Sequence, residues 1–232
     1  MNRSRWKSAI ACIAWLTFPL SAARAANNPM ILLHVVAANK VCGQAQLANC
    51  TAAISQGSLN TPYHVFVVVA PSDSMLQSGA GIAGLQFGLD YSGGFDPSGN
   101  PVLPIDIFSW TLCATLEFIT PTPQWPGPGG GNLITWDSVT NCQLGNLAVA
   151  GYFYLTAYSP ATLRLTPRPV DQRAKVATCG AVELDTWNYY GLGIAAFSAG
   201  STVPGCNPCI YPCGIDPVES TTWSRIKSQV GQ

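Results

Sequence analysis

The sequence predicts an all-β fold: an antiparallel β-sandwich with long loops, stapled by disulfides, with one short helix at the C-terminus. Three observations predict it. Short runs rich in Val, Ile, Phe, Tyr and Thr recur between clusters of Gly, Pro, Asn and Ser. Within the runs, apolar residues alternate at the strand period of two, and helical periodicity is scarce. Of nine cysteines, Cys12 lies in a leader and eight follow it, an even number in a chain bound for an oxidising space.

The chain opens with residues 1–25, MNRSRWKSAIACIAWLTFPLSAARA, which read as a signal peptide. Arg3, Arg5 and Lys7 form its basic start, Ala9 to Leu20 its apolar middle, and Ala-Arg-Ala at 23 to 25 its cleavage site. The uninterrupted apolar run falls short of the roughly 20 residues that a membrane anchor requires. No later stretch could span a bilayer as a helix, so the mature chain from about Ala26 is expected to be secreted, either extracellular or periplasmic. Cleavage removes four of the 11 basic residues and none of the 11 acidic ones, leaving seven against 11, a net charge of −4. A mildly acidic chain has no electrostatic footprint for nucleic acid. With charged residues at 9% and apolar ones at 48%, the surface must be largely Ser, Thr, Asn, Gln, Gly and aromatic, which suits a scaffold or contact protein. Residues 26–214 are expected to form one sandwich domain and 215–232 a tail.

Strands are predicted at Met30 to Ala37, Tyr63 to Ala70, Ile82 to Tyr91, Ile105 to Cys113, Thr115 to Ile119, Leu133 to Val139, Ala148 to Tyr158, Thr162 to Thr166, Lys175 to Cys179 and Ile194 to Phe197. In GIAGLQFGLDY, Leu85, Phe87, Leu89 and Tyr91 share a core face while Gln86, Gly88 and Asp90 share a wet one. In GYFYLTAY, Phe153, Leu155 and Ala157 point inward and Tyr152, Tyr154 and Tyr158 outward; in TLRLT, Leu163 and Leu165 bracket an outward Arg164. Strands that bury half their residues require two sheets face to face, whereas a parallel α/β sheet would show continuous apolar runs separated by helices. Residues 92–104 and 120–132 are turn-rich loops, and TPRPVDQR leaves a strand through two prolines. In the tail, a Ser or Thr cap at 220 to 222 precedes Trp223, Ile226 and Val230, one apolar helical stripe too short to stand alone.

The segment CNPCIYPC gathers Cys206, Cys209 and Cys213, which three chemistries could use. Zinc wants a second pair or nearby histidines, and the chain's two, His34 and His64, lie far upstream. A redox pair Cys206–Cys209 wants a thioredoxin-like βαβ pattern, which is missing. Covalent staples are favoured, four disulfides among Cys42, Cys50, Cys113, Cys142, Cys179, Cys206, Cys209 and Cys213.

The strand and acidic turn of GIAGLQFGLDYSGGFD resemble those of cohesin-type and carbohydrate-binding-module-type sandwiches. WTLCATLEF, GGGNLITWDSVTNCQ, VAGYFYLTAYSPATLRLTPRPV, GCNPC and TTWSRIK are similar to segments of a recurring set of uncharacterised bacterial secreted proteins. These likenesses imply an immunoglobulin-like or cohesin-like sandwich and export, and transfer no activity. Within that frame the expected pairing is Cys42 with Cys50, Cys113 with Cys142, Cys179 with Cys209, and Cys206 with Cys213.

Catalytic constellations are thin. Ala53-Ile54-Ser55-Gln56-Gly57 has nucleophile-elbow spacing, but the only later histidine is His64, with no acid between. Of the carboxylates Asp90, Asp96, Asp106, Glu117, Asp137, Glu183 and Asp185, the pair Glu117 and Asp137 lies on neighbouring strands, as a glycosidase would need, though both also read as solvent-face residues. Asp90, Asp96, Ser98 and Asn100 offer oxygen ligands that calcium could use, or an ordinary turn; calcium is the one cofactor left open. Trp125 between prolines, and Trp187, Tyr189 and Tyr190 in DTWNYYG, are candidate exposed rings for a sugar or a protein partner, or simply core and rim. The favoured expectation is a non-catalytic cell-surface structural or adhesion module, not an enzyme, with a protein partner. The alternative is a carbohydrate-binding module using Trp125 or the Trp187–Tyr190 cluster on a glycan.

Overall fold

The computed structural model describes residues 27–91, 94–95, 101–186 and 188–214. The leader, the expected tail helix, Asp96, Asn100 and Trp187 lie outside the described residues.

The strands are β1 (Met30–Ala37), β2 (Gln56–Ser58), β3 (Pro62–Ala70), β4 (Gly84–Asp90), β5 (Gly94–Phe95), β6 (Pro101–Val102), β7 (Ile105–Leu112), β8 (Leu116–Ile119), β9 (Gly131–Thr135), β10 (Ala148–Ala157), β11 (Ala161–Thr166), β12 (Lys175–Ala177), β13 (Glu183–Asp185) and β14 (Ile194–Ser198). The β-branched and aromatic runs form ten of them near the expected bounds, with β9 lying earlier than expected, whereas β2, β5, β6 and β13 have no counterpart among the expected strands. One sheet runs β1-β3-β10-β7, antiparallel throughout. The other centres on β4, which bonds β9 along one side and β11 and β12 along the other. It continues through β9 to β8, through β12 to β13, and through β11 to β14 and β2; only β14 and β2 run parallel. β5 and β6 form a separate ribbon inside a loop expected to carry no strand.

The expected inward residues Phe153 and Leu155 of the first sheet and Leu85, Phe87, Leu89 and Leu163 of the second meet between the layers, where Leu33, Val65, Val67 and Phe197 join them. Each such side chain contributes about 1.5–3 kcal/mol by leaving water, so this alternation carries much of the stability. Two expectations need correction. Gln86 and Gly88 are not on a wet face: the loop after β11 folds across β4, Gln86 Nε2 donates to Asp171 Oδ2 at 2.9 Å, and Thr166 and Pro167 lie over Gly88. A central strand is covered on both faces, which alternation alone does not reveal. There is also an unexpected helix, α1 (Asp73–Ser78), capped by Ser72 Oγ, which accepts from Met75 N, and ended by Gly79 in the left-handed region.

The outer face of the first sheet is covered as well. Leu32, Phe66, Val68 and Ala70 pack under Ala45, Leu47 and Ala53 of the segment 38–54. Disulfides pin that cover at two points, Cys42–Cys113 at the end of β7 and Cys50–Cys209 to the C-terminal segment; Cys142–Cys179 and Cys206–Cys213 complete the four. Three of the expected pairings are therefore wrong and Cys206–Cys213 is right. Proximity in sequence misleads here because the sheet order brings remote segments together, with Cys50 and Cys209 separated by 159 positions. The same segment needs Gly205: a Cβ there would collide with the carbonyl oxygens of Ser55 and Ile194.

Candidate functional site

β7 and β8 follow each other in the chain but border different layers, so their free edges open on the same side of the sandwich. Among the described residues, β7 is laddered only to β10 and β8 only to β9. Trp110 Nε1 donates to Glu117 Oε2 at 2.8 Å, and Asn132 Nδ2 donates to the same oxygen at 2.7 Å. The first bond sets Trp110, in the second half of β7, across from Glu117 of β8, and the two together occupy the Glu117 carboxylate with a structural task. Around this mouth Phe108, Leu116, Phe118 and Ile119 are 52%, 50%, 52% and 47% exposed. Phe108 lies where β7 and β10 slip register, a bulge that turns its ring outward to 5.1 Å from Tyr154.

Two other outer strands, β1 and β13, are guarded. β1 is bonded on its free side by Gly193 N–H to the Ile31 carbonyl and by its own Val35 N–H to the Ile54 carbonyl, each at 2.8 Å. β13 carries Glu183 and Asp185, ion-paired with Lys175 and Arg173. Charge on an edge discourages further strand pairing. β7 and β8 have one carboxylate apiece, Asp106 and Glu117, and no cation.

The residues singled out from sequence scatter. Trp125 is not an exposed platform: it is 6% exposed, with its ring centroid 5.5 Å from that of Phe87, 5.3 Å from Trp110 and 5.6 Å from Phe153. Its Pro-flanked loop is drawn inward by Thr120 N–H to the Gly131 carbonyl at 2.8 Å and Tyr91 Oη to the Pro126 carbonyl at 3.2 Å, and the indole plugs the core beside the mouth. Tyr189 is exposed, whereas Tyr190 is half-buried and its carbonyl accepts from Cys213 N–H. Asp90 and Asp106 lie near Tyr91, whose phenol is pushed up to about 12 by burial first and then by these two carboxylates. Asp137 accepts from Thr140 N–H and, with less effect, from Val139 N–H, which holds its carboxyl below the usual range. Asp137 and Glu117 are thus each engaged locally. The Ser55 carbonyl accepts from Ala196 N–H beside β2. Among the described residues no cluster of His, Cys, Asp or Glu is placed to hold a metal ion.

A second feature is a row of rings on the outer face of the first sheet. His64 stacks on Tyr152 at 4.6 Å, meets Tyr154 edge-on at 5.5 Å, and Tyr154 meets Phe108. His64 Nδ1 accepts from Lys40 N–H at 3.2 Å, and His34 Nδ1 accepts from Ile54 N–H at 2.9 Å. Burial holds both imidazoles below the ordinary histidine value, against smaller opposing effects of backbone hydrogen bonds. Sequence alternation shows Tyr152 and Tyr154 on one face; only the sheet order adds His64 and Phe108.

The architecture is that of a disulfide-stapled two-layer β-sandwich with little helix. No protein-family model matches the chain, and no curated protein matches it. Among solved structures it is similar to cohesin modules. One from a family 33 glycoside hydrolase of Clostridium perfringens is 8% identical, covering 73% of this chain and 98% of that one at a TM-score of 0.41. The sixth cohesin of scaffoldin B from Acetivibrio cellulolyticus, solved in complex with a Cel5 dockerin, is 9% identical over 73% and 99%, at 0.42. A seventh ScaB type I cohesin from Pseudobacteroides cellulosolvens is 13% identical over 64% and 89%, at 0.37. The function of this chain is therefore read from its own surface.

Proposed function

We propose that this protein is an exported, non-catalytic β-sandwich that works at the cell surface by protein contact, through the side where β7 and β8 open. The observation that carries this reading is the concentration of half-exposed Phe108, Leu116, Phe118 and Ile119 along two strand edges that carry one carboxylate each, where β13 carries two ion-paired ones. Four disulfides fit an oxidising space outside the cytoplasm, and no described helix is long and apolar enough to cross a membrane. The test incubates the mature protein, and a variant carrying Phe108→Lys and Phe118→Lys, with envelopes of the cells that export it. The wild type is retained and the variant is washed away. Equal retention of the two overturns the reading.

A glycan-binding reading is favoured by one separate observation, the ring row of His64, Tyr152, Tyr154 and Phe108. Flat rings with polar edges stack on sugar faces. Retention on insoluble polysaccharide that is lost in Tyr154→Ala, with the β7–β8 side intact, supports that reading in place of the first.

A further inference from the structure

We infer that the occupant of the β7–β8 side is a second copy of this chain, related by a two-fold axis normal to both sheets, so that β7 extends β7 and β8 extends β8 of the mate. This rests on the protein-contact reading above. A half-turn about the sheet normal reverses a strand's direction and keeps each layer in its own plane. The mate therefore offers an antiparallel edge to both layers at once, in an isologous contact that closes on itself. One axis can serve both edges only if their centres face each other across the mouth. The bond from Trp110 Nε1 to Glu117 Oε2 brings them near this arrangement, since it joins the neighbour of Ser109, near the centre of β7, to the neighbour of Phe118 on β8.

Charge points to the same occupant. Opposed like charges weaken a strand pair, and self-pairing here avoids them. With β8 centred on Phe118, the ring meets its own copy, Glu117 falls opposite Ile119, and inward residues stay opposite inward ones. With β7 centred near Ser109, Asp106 falls near Leu112 of the mate. A basic partner strand would be expected to face a line of carboxylates, but these edges carry one each.

The experiment uses the full mature chain. Light scattering and sedimentation over a concentration series, with hydrogen exchange at the amides of β7, β8 and β13, are run on wild type, Phe118→Lys and Phe118→Glu. The wild type is a dimer whose β7 and β8 amides gain protection with concentration while those of β13 do not. Each single variant places like charges face to face and weakens self-association roughly a hundredfold. Mixing the two variants restores a mixed dimer, because position 118 meets itself; a misfolded variant would not be rescued by its opposite. A wild type that stays monomeric at roughly 100 µM, a concentration at which even weak pairing shows, or a mixture that fails to associate, overturns the inference. A monomer whose envelope retention still depends on Phe108 and Phe118 overturns the self-pairing alone. Retention indifferent to those residues overturns the contact reading even where the dimer forms.

Discussion

Trp125 plugs the sandwich where β4, β7 and β10 converge, in ring contact with Phe87, Trp110 and Phe153. Its indole N–H is buried without an acceptor, so the side chain is held by packing alone. Trp125→Ala is expected to lower stability by about 3–5 kcal/mol, as a large core ring replaced by a cavity does, read as a shift in the denaturant midpoint. A platform residue on the surface would change the midpoint by less than about 0.5 kcal/mol and affect only ligand binding. The sequence left Trp125 open between platform and core, because its flanking prolines and the glycines after them read as a loop. The flanking prolines describe the backbone, and what surrounds a ring depends on which strands the loop crosses.

Among the elements, the segment 38–54 has little regular structure of its own, yet it covers Leu32, Phe66 and Val68 and buries His34. Its hold comes from two disulfides and from the exchange of hydrogen bonds between Ile54 and β1. Replacing Cys50 and Cys209 together by Ser is expected to cost about 2–5 kcal/mol and to raise amide exchange first in 38–54 and in 205–214, with the central ladders β3 and β10 unchanged. Uniform exchange across the sandwich would contradict that order of loss. The strands themselves were legible in the sequence: β1 has the expected bounds, and β7, β10, β11 and β14 differ by a residue or two. α1 was missed because six residues bury only Met75 and show no period, although Ser72 before Asp73 and Gly79 after Ser78 mark both its ends. β2 and β13 are three-residue strands that exist by pairing with β14 and β12, and no local pattern announces them.

Across the whole molecule, both histidines lie on one covered face, His34 on β1 and His64 on β3, and burial lowers the proton affinity of each. The unfolded chain takes up protons near the ordinary histidine value of 6.5, while the folded chain resists. Stability is therefore full above about 6.5 and declines as the pH falls below it towards the folded values. Thermal unfolding at pH 7.5 and at pH 5.5, both above the ordinary carboxylate range, is expected to give the lower midpoint at pH 5.5. The difference should shrink in His34→Gln; an unchanged difference would assign the effect elsewhere. The same outer face carries the ring row, and its rim leads to the open β7–β8 side, so acidification reports on the cover beside the proposed contact.

The amino-acid sequence by itself determined the longer strands, the inward faces of those that alternate and the number of sulfur pairs available, because period-two alternation and cysteine count are local and additive properties. It also placed Tyr152 and Tyr154 outward correctly. Only the tertiary structure decided which cysteines join, that Trp125 is core, that Gln86 is covered, and that β7 and β8 leave two apolar edges on one side. Each of these depends on which strands become neighbours, and that is settled by the collective burial of two sheets and by chain crossings between segments far apart in sequence.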